Sequence, residues 1–140
     1  MHIQIYRRQA VKLGIVCLLV LFQGQSVFSA TSTTPQTLDA INKEVSPGSI
    51  VLLESGTYTT PIAPASSGTK DEPIIYKPAK GASPLFENVS PAILLKDKSF
   101  VKIEGVKFLD CSQFMSIESS SHITIENRDC ATRSLGLYSN

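Results

Sequence analysis

The chain has 140 residues, of which 42% are apolar, 18% charged and 7% aromatic with no Trp, the composition of a globular protein with room for one small domain. Its 13 basic residues are balanced by 12 acidic ones. That balance lacks the phosphate-neutralising excess on which nucleic-acid binding rests, so nucleic acid is not an expected partner.

The first thirty residues read as a targeting segment. Arg7, Arg8 and Lys12 form a basic start, and Leu13 to Phe22 is an apolar run followed by polar Gln23, Gly24, Gln25 and Ser26. The run is about half the ~20 residues a membrane-spanning helix needs. Val27-Phe28-Ser29-Ala30 then permits cleavage after Ser29 or Ala30, completing the three parts of a secretory signal peptide over residues 1–30. The competing reading is an uncleaved amphipathic anchor. No small residue directly precedes Cys17, which disfavours a lipoprotein. The expected location is secreted or periplasmic, with no membrane association once the signal is removed.

Cleavage removes three basic residues and no acidic one, so the mature chain is slightly acidic. It keeps Cys111 and Cys130, which an oxidising compartment would allow to pair.

The mature domain, residues 31–140, opens with a short helix expected over about 35–46. Thr34 is placed to cap it, Pro35 suits the first helical position, and Leu38, Ile41 and Val45 make one apolar stripe. Ser46-Pro47-Gly48 ends it. Short β-type runs follow at Ile50–Leu53, Ile74–Tyr76, Ile93–Leu95, Phe100–Ile103, Met115–Ile117 and Ile123–Ile125.

Their spacing is more informative than their existence. At a shift of 22, Ile93 falls on Met115, Leu95 on Ile117, Ser99 on Ser121, Val101 on Ile123, Ile103 on Ile125 and Glu104 on Glu126. Two strands repeating with one period in the low twenties are the signature of a solenoid whose equivalent strands stack in parallel. The regular Leu and Asn pattern of a leucine-rich repeat is absent. The expected fold is therefore all-β, a right-handed parallel β-helix of about four coils behind a short N-terminal capping helix. An antiparallel sandwich is the alternative, because the 22-residue register does not carry back through Ile74. The same register stacks Cys130 on Phe108 as a small inward residue and sets Cys111 level with Arg133, so a disulfide is not favoured.

Three segments carry a resemblance. Pro47-Gly48-Ser49-Ile50-Val51-Leu52-Leu53-Glu54-Ser55-Gly56-Thr57-Tyr58 resembles the opening strand and Gly-Thr-Tyr turn of secreted right-handed β-helix proteins. Ser66-Ser67-Gly68-Thr69-Lys70-Asp71-Glu72-Pro73-Ile74-Ile75-Tyr76 resembles the Gly-Thr and Pro-Ile that precede their next strand, and Phe100–Phe108 a full coil with its Gly turn. In this order behind a capping helix, the chain is most similar to the family six polysaccharide lyases, the alginate lyases and chondroitinase B, over roughly Pro35 to Cys130. Gly56 and Gly105 are expected at positive φ, a demand of coil geometry. Two positions depart: Ser49 stands where the opening motif usually has Asp, and Arg128 falls on Val106 of the previous coil.

The resemblance implies β-elimination on a uronate-containing polysaccharide of the alginate or chondroitin/dermatan type. Such a lyase neutralises the uronate carboxylate, commonly with Ca²⁺, and withdraws the adjacent proton with a basic side chain. In the family the Asn and Glu ligands and the Lys and Arg catalytic residues lie in coils beyond this chain, so no catalytic, cofactor or metal residue is assigned. The resemblance thus implies an N-terminal, truncated portion of a lyase, inactive alone, with Ca²⁺ expected only in a full-length relative. An anionic polysaccharide is the expected partner. The alternative is a non-catalytic exported β-helix module that binds glycans or builds a surface structure.

The polar groups within the chain have structural readings as well. Glu104 and Glu126 stack about 4.8 Å apart, where they would either hold a cation or splay into solvent. His122 reads as an exposed turn residue without the Cys or second mature His that zinc would call for. Lys96, Lys98, Lys102 and Lys107 form a basic stretch able to contact an anionic glycan, but Asp97, Glu104 and Asp110 interleave with it, which favours a mixed solvated face. A solenoid buries its core by stacking neighbours, so the last coil is expected to be open and to favour self-association.

Overall fold

The computed structural model describes residues 28–126 and 128–131. Eleven short strands and one helix alternate along it: β1 (Ser29–Thr33), α1 (Leu38–Glu44), β2 (Ser49–Leu53), β3 (Gly56–Tyr58), β4 (Ile74–Pro78), β5 (Pro84–Glu87), β6 (Ile93–Lys96), β7 (Ser99–Glu104), β8 (Lys107–Leu109), β9 (Met115–Glu118), β10 (Ser121–Glu126) and β11 (Asp129–Ala131). Every strand pairing is parallel. The order β1-β2-β4-β7-β10 makes one five-stranded sheet, β3-β5-β8-β11 a second, and β6-β9 a third that the Ile62–Ile93 bridge extends. The architecture is a parallel β-helix of three sheets.

The 22-residue register is observed. Ser99, Val101, Ile103 and Glu104 pair with Ser121, Ile123, Ile125 and Glu126, Ile93 and Leu95 with Met115 and Ile117, and Phe108 with Cys130. It fails at Ile74 because that residue pairs with Val101, 27 positions on, whereas Leu85 in the next strand pairs with Lys107 at the regular spacing. The five extra residues of that coil therefore sit between β4 and β5. The coil corners repeat too: Asn88 and Asp110, Asp97 and Ser119, Phe100 and His122 are pairs of left-handed residues, each a period apart.

Period-two alternation sends one face of each strand inward. Val51, Tyr76, Ile103 and Ile125 form one interior row, and Tyr58, Phe86, Phe108 and Cys130 another. The Tyr58 and Phe86 rings stack at 4.9 Å between centroids, and Phe86 and Phe108 meet tilted at 5.8 Å. Each fully buried large apolar side chain contributes about 1.5–3 kcal/mol relative to exposure. Burial fades towards the last coil: Val101, Ile103 and Phe108 are closed, Ile123 and Ile125 only half-buried, and Cys130 exposed although it occupies the inward register.

Three features differ from the sequence reading. The helix is shorter than 35–46, because the Thr34 carbonyl accepts the N–H groups of both Thr37 (3.1 Å) and Leu38 (3.2 Å), closing a tight turn before the regular helix starts after Thr37. Its stripe is as expected, with Leu38 and Val45 buried and Ile41 packed against the core. The Gly-Thr-Tyr turn is itself strand β3. The principal sheet has five strands because β1, Ser-Ala-Thr-Ser-Thr, joins it through backbone pairing with β2 and carries no large apolar side chain to announce it.

Gly56 and Gly105 play matching parts. Gly56 has φ +147° and Gly105 φ +62°, and a Cβ on either would lie within 3 Å of a proline, Pro35 in one case and Pro78 in the other. A proline ring thus packs directly onto the glycine of the following turn.

Candidate functional site

The outward face of the five-stranded sheet carries the densest group of charges at sequence-selected positions. Lys102 and Glu104 share that face because they alternate with inward Val101 and Ile103, and register adds Glu126 one coil on. Lys102 Nζ lies 2.7 Å from Glu104 Oε1 and 3.3 Å from Glu126 Oε2. The cation between the stacked carboxylates is thus the chain's own ammonium. Its hydrogen bonds to Glu104 first and Glu126 second raise the Lys102 pKa. The sequence signal for this was present, since positions 102, 104 and 126 fall on one face once the register is known.

On the third sheet Lys96 and Glu118 pair at 3.6 Å, again between register partners. Register also sets Lys107 beside Asp129. Opposite charges recur from coil to coil, as the mixed-face reading expects, and Lys98 is half-buried at the corner before β7.

His122 lies on an exposed corner. Its ring stacks on Phe100 at 4.3 Å with an interplanar angle of 11°, and Nδ1 is 3.2 Å from Ser121 Oγ. Beside it runs a hydroxyl ladder in which Ser99 Oγ meets Ser121 Oγ at 3.0 Å and the Ser99 N–H donates to Ser67 Oγ at 3.1 Å. No group of three His, Cys, Asp or Glu side chains able to hold a metal occurs among the described residues.

The cysteines are apart. Both Cys111 and Cys130 are free thiols; Cys111 Sγ donates towards the carbonyls of Leu109 (3.4 Å) and Phe86 (3.6 Å). Arg128, aligned with buried Val106, is instead exposed and lays its guanidinium 5.2 Å from the centre of the Phe114 ring, a cation–π contact. Arg133 lies outside the described residues.

A cleft of about 160 Å³ separates β1, α1 and β2, lined by Thr31, Ile41, Glu44, Val45, Ser46 and Ser49 among others. It is smaller than the ~300–1,000 Å³ typical of small-molecule sites.

The basic and apolar parts of the expected signal peptide lie outside the described residues. Its expected cleavage point does not: Ser29 and Ala30 begin β1 and pair with Ser49 and Ile50. No described helix is long and apolar enough to cross a membrane.

No known protein family, curated protein or solved structure matches the chain. What the described arrangement does chemically is therefore read from its own groups. Its carboxylate pair is bridged by Lys102, whose one positive charge offsets one of the two negative ones, its aromatic rows pack the interior, and its hydroxyl ladders bind coil to coil.

Proposed function

We propose that this chain is the N-terminal scaffold portion of an exported polysaccharide lyase that cleaves a uronate-containing glycan by β-elimination, with the catalytic groups supplied by coils beyond it. One observation carries the reading: the opening motif of the lyase-like sequence is built into the first full coil as a working joint. Gly56 gives way to the Pro35 ring of the capping segment, and the Tyr58 hydroxyl, directed to the carbonyls of Thr33 (3.0 Å) and Glu54 (2.9 Å), ties β3 back to β1 and β2. This is a foundation on which further coils stack, and Glu104, Glu126 and Lys102 serve it as a coil-to-coil clamp.

A non-catalytic glycan-binding module is the second reading, favoured by the exposed His122 ring stacked on half-buried Phe100 beside the Ser99–Ser121 hydroxyls, a combination suited to sugar faces and sugar hydroxyls. The nucleotide sequence downstream of the codon for Asn140 separates the two. The lyase reading expects further coils at about 22-residue spacing bearing Asn, Glu, Lys and Arg, in frame or in another frame. Downstream sequence encoding no such coils in any frame contradicts it and leaves the module reading.

A further inference from the structure

We draw no further inference here: the strongest candidate, the outward apolar strip of the five-stranded sheet where half-buried Ile50 and Leu52 of β2 meet Ile75 of β4, is an unpartnered face, and nothing in the structure shows what covers it.

Discussion

Tyr76 donates its hydroxyl hydrogen to Asn42 Oδ1 at 2.9 Å, and Asn42 in turn donates from Nδ2 to the Pro61 carbonyl at 2.9 Å. Both side chains are buried, and with the Ala65 N–H bonded to the Asn42 carbonyl at 2.8 Å they fasten the capping helix to the coil beneath it. Burial of a polar group is tolerated when its partners are complete, and here all four groups are satisfied.

Removing Asn42 breaks that completeness on two sides. Asn42→Ala leaves the buried Tyr76 hydroxyl and the partly buried Pro61 carbonyl without these partners and is expected to cost about 2–4 kcal/mol; Tyr76→Phe orphans only one acceptor and is expected to cost about 1–2 kcal/mol. Denaturant unfolding of both single variants and the double variant tests this. The double variant should lose less than the sum, because the shared bond is counted twice; simple additivity would show that the pair is not coupled.

The glycine joints predict a graded series. Gly81 has φ +76° with nothing within 4 Å of an added Cβ, so Gly81→Ala should cost only the left-handed backbone strain, about 1–2 kcal/mol. Gly105→Ala adds the encounter with Pro78 and should lose more. Pairing Gly105→Ala with Pro78→Ala should recover part of the difference in thermal unfolding; no recovery would place the cost elsewhere than at the proline.

Alkaline pH should unfold the chain. Burial, followed by the nearby Glu54 carboxylate, pushes the Tyr58 pKa from 10.0 up to about 12, and burial also pushes Tyr76 well above its ordinary value. Lys102 is raised from 10.5 by Glu104 and Glu126. In each case the unfolded chain gives up its proton first, so the stabilisation is full below pH 10 and is lost as pH rises through the folded values. Stability measured from pH 8 to 12 should be flat and then fall, and Tyr58→Phe should shallow the fall. A profile unchanged by that substitution would remove Tyr58 from the account.

The parallel register was legible because identical chemistry recurs at identical spacing: Val101 with Ile123, Ile103 with Ile125, Ser99 with Ser121. The second sheet was harder to see because its strands are three or four residues long, too short for alternation to show. Strand β1 was illegible for a different reason: Ser29–Thr33 owes its conformation to the neighbouring backbone of β2 rather than to its own side chains. At the candidate site the stacking of Glu104 on Glu126 could be read, whereas the identity of its cation, Lys102, depended on knowing that both carboxylates face outward with it.

Export gives a further prediction. Signal removal after Ser29 or Ala30 would cut within β1 and leave its remaining residues paired to β2. The intact mass of exported protein should correspond to loss of residues 1–29 or 1–30. A mature form retaining Arg7 and Arg8 would contradict the secretory reading.

If the chain is the scaffold of a uronate polysaccharide lyase, as proposed, turnover requires groups beyond it. Lyase activity of the chain alone is compared with that of the chain extended by any coils the downstream nucleotide sequence encodes. Each is incubated with alginate, chondroitin and dermatan sulfate, with and without Ca²⁺, while the ultraviolet absorbance of the unsaturated uronate product is followed. The account predicts no product from the chain alone and sustained turnover from the extended protein on at least one substrate, since proton abstraction needs charge neutralisation and a positioned base together. Turnover by the chain alone that Arg128→Ala or Glu126→Gln abolishes, or an extended protein inactive on every substrate, would contradict it.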